Sequence, residues 1–87
     1  ARVAALTGAP GDVAELVELA RLPPDAEVLG PVPIARPGEP PGARVLVRVP
    51  WRRGRDLAQA LRAAAGVRAA ARAGGPVRVE VDPRELG

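Results

Sequence analysis

The sequence predicts a small α+β domain in which four strands and two helices follow one another in the order β-α-β-β-α-β. Two observations indicate this order: residues 44–49 alternate between valine and other side chains, and two helical stretches end at Pro or Gly clusters beside short β-favouring segments. The chain has 87 residues, of which Leu, Ile and Val make up 22, enough for one small core. We therefore expect a single domain spanning residues 1–87.

Apolar periodicity predicts the first strand and the first helix. Residues 2–7 form a short apolar run that stops at Gly8, as a buried strand would. Residues 9–22 are expected to be helical up to the following Pro-Pro pair. The apolar side of this helix consists of Val13, Leu16, Val17 and Ala20. Asp12 and Glu15 have the spacing of a capping box, with Asp in place of Ser or Thr, which marks the start of the helix.

Two further strands lie in the middle of the chain. Residues 27–35 favour β structure, but Pro31 and Pro33 cannot donate to a hydrogen-bond ladder, so we expect an edge strand. Residues 36–43 form a loop rich in Pro and Gly. The strand at residues 44–49 places three valines on one face, and its other face carries Arg44, Leu46 and Arg48.

An Ala-rich stretch from about residue 53 to residue 73 predicts the second helix, in which Gly66 costs about 1 kcal/mol relative to Ala. Its buried stripe is expected to consist of Leu57, Ala60, Leu61, Ala64, Val67 and Ala71. Residues 77–82 alternate valines with charged residues and form a last strand that stops at Pro83. This order is the split β-α-β pattern of ferredoxin-like domains, with an antiparallel four-stranded sheet and two helices on one face.

The composition excludes several classes of site. The chain has no Cys and no His, so disulfides, zinc fingers, haem ligation and His-dependent catalysis are not available. It has no Lys for a phosphate-binding loop, and its acidic residues do not form a clustered pair or loop. No apolar run approaches the ~18 residues of a membrane span. We expect that this segment is not itself an enzyme, holds no metal or cofactor and binds no membrane.

Charge is divided unevenly along the chain. Residues 1–43 contain three Arg and six acidic residues, whereas residues 44–87 contain ten Arg and four acidic residues. Eight arginines of the second half are opposed in the nearby sequence by Asp56 alone, and these are Arg44, Arg48, Arg52, Arg53, Arg55, Arg62, Arg68 and Arg72. Five of them are candidates for neutralising DNA phosphates: Arg44, Arg48, Arg52, Arg53 and Arg62. The alternative is a solvated face that reflects G+C-rich codon usage.

Two further features lie near the basic run. Trp51 is the single aromatic residue, and it either stacks on a base or covers the small core. Arg55 and Gln59 lie one helical turn apart at the start of the second helix, where a cation, an amide and the helix dipole together suit a carboxylate. The alternative for this pair is two solvated polar side chains. The scarcity of aromatic residues argues against an RNA-recognition sheet.

Four segments occur in a specific order: Glu-Val-Leu-Gly-Pro-Val-Pro at 27–33, Arg-Val-Leu-Val-Arg-Val-Pro at 44–50, Leu-Ala-Gln-Ala-Leu at 57–61 and Val-Arg-Val-Glu-Val-Asp-Pro at 77–83. Together they resemble the C-terminal domain of the PriA family. Members of this family, also called primosomal protein N-prime, are bacterial replication-restart DNA helicases. The Arg- and Ala-rich, Lys-free composition is similar to that of actinobacterial members. The resemblance covers residues 6–86.

The resemblance implies a fragment of a larger multidomain helicase, with ATP and zinc sites elsewhere in the parent protein, in the cytoplasm at the nucleoid. It implies binding of branched and single-stranded DNA and contact with other primosome proteins. It also implies docking of the acidic C-terminal tail of single-stranded DNA-binding protein by an Arg and a Gln that lie one helical turn apart. Arg55 and Gln59 match this pair in spacing and in position at the start of the second helix. The family usually has an Arg or an aromatic residue where the loop at 36–43 enters its strand. This sequence departs from that pattern, since the first such residue at the entry of the strand is Arg44.

Two other interpretations are open on the sequence alone. In the first interpretation, the domain is a structural module that packs against helicase lobes without touching DNA. The sheet face that the helices leave open should then be apolar. The second interpretation is a free-standing ferredoxin-like regulatory domain that binds a small molecule and dimerises through a sheet edge. The prolines of the second strand argue against such edge pairing.

Overall fold

The structure is a computed structural model that describes residues 1–71 and 74–82. Its elements are β1 (Arg2–Gly8), α1 (Pro10–Leu19), β2 (Glu27–Ile34), β3 (Gly42–Val49), a 3-10 turn (Trp51–Arg53), α2 (Gly54–Ala71) and β4 (Val77–Val81). The predicted β-α-β-β-α-β order is confirmed, and α1 is shorter than predicted by one residue at its start and three at its end. The predicted end of α2 at residue 73 lies outside the described residues. The predicted stop of the last strand at Pro83 lies outside the described residues. Within the described ranges, no helix is long and apolar enough to cross a membrane.

The four strands form one sheet in the order β2-β3-β1-β4, and every neighbouring pair is antiparallel. This is the ferredoxin-like arrangement that the sequence predicts. The strand with two prolines, β2, lies at an edge as expected, because a central position would require donors that proline lacks. Its register shifts between Leu29 and Val32, where Gly30 has a φ of 103° and a Cβ would lie 2.9 Å from the carbonyl oxygen of Arg44.

The strand register defines the two faces of the sheet. Val45 and Val47 of β3 lie opposite Leu6 and Ala4 of β1, and these four side chains are buried under the helices. The intervening residues of β3 point to the other side, as the alternation predicts, and they are Arg44, Leu46 and Arg48. We call this side, on which no described element packs, the open sheet face.

The core lies between the sheet and the two helices. Ten buried side chains form it: Ala4, Leu6, Val13, Leu16, Val45, Val47, Val49, Leu57, Leu61 and Ala64. The predicted buried stripe of α2 is confirmed at Leu57, Leu61 and Ala64. It is wrong at Val67, which is 54 % exposed, and at Ala71, because α2 turns Arg68 toward α1 instead.

Arg68 is 7 % exposed and holds the two helices together. Its Nε donates to Glu15 at 2.7 Å, and its Nη2 donates to Asp12 at 2.9 Å and to the carbonyl oxygen of Gly75 at 3.2 Å. The predicted capping box is therefore wrong, since α1 begins after Ala9 with no side-chain cap and both acidic residues face α2. Arg68 also leaves the predicted basic surface, because a charge paired inside the fold does not bind a ligand.

Candidate nucleic-acid interface

The connection from β3 to α2 positions the centre of the predicted basic region. Pro50 ends β3, and the N–H of Arg53 donates to the Pro50 carbonyl oxygen at 2.8 Å, which closes a 3-10 turn. The helix α2 then begins at Gly54. This tight connection, which we call the junction, places Trp51, Arg52 and Arg53 at one end of the sheet.

The side chain of Trp51 lies outside the core. It is 67 % exposed, and the guanidinium of Arg2 lies over its ring, 4.2 Å from the centroid. The interpretation of Trp51 as a cover over the core is therefore wrong. Its interpretation as a base-stacking side chain stays a prediction, and the exposed indole has the access that stacking requires.

Asp25 partly neutralises the junction. Its carboxylate lies 3.5 Å from both Arg52 and Arg53, and Arg53 also pairs with Asp56 at 3.2 Å. The hydrogen bond that Arg53 donates to Asp56 and the charge of Asp25 raise the pKa of Arg53 above its ordinary value. Asp56 is the only acidic residue near the basic run in the sequence, and the fold adds a second carboxylate, that of Asp25, from the loop before β2. The side chain of Arg52 is nevertheless 75 % exposed.

The open sheet face carries a second group of arginines. Arg44 and Arg48 point to this side from β3, and in the described part of the chain neither makes an ion pair. Glu27 lies directly opposite Arg48 in the register of β2 and β3, without pairing to it. Arg44 is half-buried, and its Nε is buried with no hydrogen-bond partner. Arg48 is exposed, so its guanidinium group is available to an anion that approaches this face.

The outer side of α2 carries the third group. Arg55, Gln59 and Arg62 are all exposed and lie at i, i+4 and i+7, so one side of the helix presents them together. The buried positions of α2 face the opposite way, toward the sheet. Among the described residues, neither Arg55 nor Arg62 forms an ion pair. We call these three residues the helix-face group. Arg72 lies outside the described residues.

The eight predicted site residues therefore do not form one flat surface. Since α2 covers the inner face of the sheet, the helix-face group and the pair Arg44 and Arg48 lie on opposite sides of the domain. The junction connects the two sides at one end of the sheet. In residues 1–71 and 74–82, no three carboxylates lie together where a metal ion would bind.

The chain matches, over residues 1–84, the family model described as the primosomal protein N C-terminal domain. The chain belongs to this family. A protein of Mycobacterium leprae named "Probable replication restart protein PriA" is 44 % identical over 93 residues, which span 98 % of this chain and 14 % of the relative. Proteins of the same name from Mycobacterium tuberculosis and Mycobacterium bovis are 40 % identical over 100 residues, which span 98 % of this chain and 15 % of each relative. No solved structure matches the chain.

The chain thus spans about one seventh of the length of the curated relatives that it matches. The family assignment confirms the resemblance found in the sequence. Three residues that shape the site were missed by the sequence analysis, and they are Arg2, Asp25 and Asp82. Their contacts join positions far apart in the chain, and no local spacing signals them.

Proposed function

We propose that this domain binds forked and single-stranded DNA without sequence preference, as the DNA-binding and partner-docking part of a replication-restart protein that takes part in primosome assembly. The observation that carries the proposal is the placement of arginines on both sides of an exposed tryptophan; among the described residues, Arg48, Arg55 and Arg62 are exposed and form no ion pair. The names of the mycobacterial relatives support the assignment to replication restart.

The binding mechanism is electrostatic. Arg44 and Arg48 on the open sheet face, and Arg52 at the junction, donate to phosphate oxygens through their forked guanidinium groups. Each neutralised phosphate releases counterions, so the logarithm of the binding constant falls by about 0.7 per contact for each tenfold rise in salt on single strands. Trp51 stacks on an unpaired base beside these contacts. Arg53 contributes less, because Asp56 and Asp25 already hold it.

The partner in this proposal is the acidic C-terminal tail of single-stranded DNA-binding protein. Arg55 and Gln59 offer a cation and an amide one turn apart near the first turn of α2, where helix N–H groups favour an anion. Arg62 continues the same side of the helix and attracts acidic residues further along the tail. The parent protein supplies its ATP and zinc sites from other regions.

The test is a titration of the domain into labelled forked DNA and, separately, into a labelled acidic tail peptide, each at two salt concentrations. We expect salt-sensitive binding of both. Substituting Arg44→Ala and Arg48→Ala should weaken DNA binding, and substituting Arg55→Ala and Gln59→Ala should weaken peptide binding. The matched control is Arg21→Ala with Arg36→Ala, which removes two exposed charges outside the proposed surfaces. Equal losses in the control and in either pair would contradict the assignment of that pair.

A second candidate function is a packing module for neighbouring parts of the parent protein. One observation favours it: Leu29 and Val32 of β2 are 46 % and 58 % exposed, and they lie opposite Leu46 and Arg44 on the open sheet face. An apolar strip beside arginines suits a protein surface as well as a nucleic acid. Absence of DNA binding at low salt, with the domain folded, would favour this alternative.

A further inference from the structure

The ring of Trp51 is held in place by residues from both ends of the described chain. The guanidinium of Arg2, at the start of β1, lies 4.2 Å from the ring centroid, within the distance at which a cation is attracted to an aromatic face. The side chain of Trp51 stays 67 % exposed in this arrangement. Arg2 therefore restrains the ring without removing it from solvent.

Arg2 is itself fixed by Asp82. The two side chains form an ion pair, and the second carboxylate oxygen of Asp82 accepts a hydrogen bond from the N–H of Val3 at 3.1 Å. The N–H of Asp82 donates to the carbonyl oxygen of Val3 at 2.6 Å. Asp82 has a φ of 53°, a left-handed conformation that Asp tolerates. The carboxylate is thus anchored to the backbone of β1.

The start of α2 closes the space on another side of Arg2. A Cβ at Gly54 would lie 2.8 Å from Cγ and 3.0 Å from Nε of Arg2, so a side chain there would displace the arginine. The Nε of Arg2 is buried and has no hydrogen-bond partner. The aliphatic stem of Arg2 is therefore packed between β1 and α2, which leaves its guanidinium group little freedom to leave the ring.

We propose that Asp82 and Arg2 are positioning residues that hold Trp51 as a preformed platform for an unpaired nucleobase. The inference rests on the DNA binding proposed above and deepens it by naming the residues that hold the stacking side chain in place before an unpaired base binds. An aromatic side chain that is already ordered loses less rotamer freedom when a base stacks on it, so binding is stronger than to a mobile ring. Base-paired DNA exposes base faces only at its ends and gains little from this platform.

The position of the platform fits this ligand. Trp51 is followed directly by Arg52, whose side chain is 75 % exposed, so a stacked base would have a cation available for an adjoining phosphate. Arg2 lies over the ring and adds positive charge at the same place. The junction thus combines one π surface with cations, as proteins that bind single strands without sequence preference do.

The test uses the fluorescence of Trp51, which is the only Trp in a chain that has no Tyr or Phe. The full chain is titrated with an unlabelled oligothymidine and with a blunt duplex of equal length, and binding is followed in parallel with labelled DNA. We expect the single strand to quench the emission and the duplex to leave it nearly unchanged. Time-resolved anisotropy of the free protein reports how freely the ring moves.

Arg2→Lys keeps the charge but removes the planar guanidinium group. We expect greater motion of the Trp51 ring in this variant and about two- to five-fold weaker binding of the single strand, because a more mobile ring must be ordered when a base stacks on it. Arg36→Lys is the matched control, since Arg36 lies in the exposed loop before β3, and it should change neither quantity. A second variant, Asp82→Asn, keeps an acceptor for the Val3 N–H and releases Arg2, so ring motion should also increase. Circular dichroism verifies that each variant is folded.

Three outcomes overturn the inference, and they separate it from the proposed function. Binding of labelled single strand without quenching of Trp51 contradicts the platform and leaves DNA binding intact. Wild-type behaviour of both Arg2→Lys and Asp82→Asn contradicts the positioning role. Absence of binding to any DNA contradicts both the platform and the proposed function. Quenching by single strand only, together with weaker binding and a more mobile ring in both variants, supports the inference.

Discussion

The guanidinium of Arg68 on α2 lies 2.9 Å from the carboxylate of Asp12 on α1, and the Arg68 side chain is 7 % exposed. Glu15, one turn further along α1, lies 2.7 Å from the same guanidinium. One cation therefore compensates two carboxylates of the neighbouring helix. The contact therefore joins α1 to α2 beside the core that the two helices share.

Removal of this cation should destabilise the domain. Arg68→Ala leaves Asp12 and Glu15 close together without a partner, and we expect the free energy of unfolding to fall by about 2–4 kcal/mol, less than for a fully buried pair because Glu15 is partly solvated. Urea unfolding followed by far-UV circular dichroism measures the change. Trp51 fluorescence is a poor probe for this purpose, since the ring is exposed in the folded state.

The matched control for Arg68 is Arg62→Ala on the same helix. Arg62 is exposed and unpaired among the described residues, so its removal should change stability by no more than about 0.5 kcal/mol. If Arg68→Ala were as stable as Arg62→Ala, the ion pairs between the helices would contribute no net stability.

The burial of Arg68 is a feature of α2 that the apolar pattern of the sequence does not predict. The spacing of Leu57, Leu61 and Ala64 correctly predicts the side of α2 that faces the sheet. At the next turn, apolarity favours Val67, whereas the structure buries Arg68. An apolar stripe is recognised by its own residues, but a buried arginine depends on acidic residues of another helix, which are distant in sequence.

Two glycines near α2 should respond to alanine in opposite directions. At Gly74, which has a φ of 62°, a Cβ would overlap Oδ1 of Asp12 and lie 2.8 Å from Nη2 of Arg68. Gly74→Ala should therefore cost more than the ~1–2 kcal/mol of a left-handed residue. Gly66 has nothing within 4 Å of its Cβ position, so Gly66→Ala should stabilise the helix by about 1 kcal/mol. Thermal unfolding of both variants and the wild type measures whether each substitution raises or lowers stability. A higher melting temperature for Gly74→Ala would contradict this geometry.

The contact between Asp82 and Arg2 predicts a pH dependence at the Trp51 ring. The hydrogen bond from Arg2, together with that from the Val3 N–H, lowers the pKa of Asp82 below its ordinary value of 3.8. A carboxyl group whose pKa is lower in the folded state stabilises the fold above the unfolded pKa, and this contribution is lost as pH falls through the folded pKa. We therefore expect Trp51 emission to stay constant from neutral pH down to about 4 and to change below that.

The control for this acid transition is Asp82→Asn, which has no carboxyl group at this position. Its Trp51 emission should already differ at neutral pH and should lack the step on acidification. Circular dichroism over the same range separates a local change at the ring from global unfolding. A step of equal size in both proteins would show that another group causes it.

Asp25 is expected to restrain DNA binding at the junction. Asp25 lies 3.5 Å from Arg52 and from Arg53, and all three side chains are at least 32 % exposed, so these long ion pairs contribute at most about 1 kcal/mol to stability. Asp25→Asn should therefore leave the melting temperature nearly unchanged while strengthening DNA binding several-fold at low salt, because a negative charge beside two arginines is removed. Glu39→Gln, in the loop before β3, is the control for net charge. An equal gain from both substitutions would indicate a general charge effect.

The sequence predicts the fold better than it predicts the site. Alternation in β3, the prolines of β2 and the apolar spacing of both helices are local signals, and the strand order and the core confirm them except at Val67 and Ala71 of α2. The surroundings of Trp51 depend instead on Arg2 and Asp82, which the sheet brings together from opposite ends of the chain. A contact of this kind has no periodicity, so the sequence identifies the tryptophan but not what holds it.

The placement of arginines on two sides of the domain predicts that DNA and the acidic tail bind at the same time. Arg44 and Arg48 lie on the open sheet face, whereas Arg55 and Gln59 lie on the outer side of α2, with the sheet and core between them. A saturating acidic peptide should therefore leave most of the labelled DNA bound, and a DNA–domain–peptide complex should be detectable by energy transfer between labels on the two ligands.

Competition distinguishes this arrangement from a single shared anion site. If DNA also contacts the helix-face group, the peptide should displace the DNA. Arg55→Ala should then reduce, by about 0.7, the slope of the logarithm of the DNA-binding constant against the logarithm of the salt concentration. If the two sides act separately, Arg55→Ala should weaken only the peptide, and Arg48→Ala should weaken only the DNA. Because the two substitutions remove the same charge, any general electrostatic effect is common to both, and the difference between them reports which side each ligand uses.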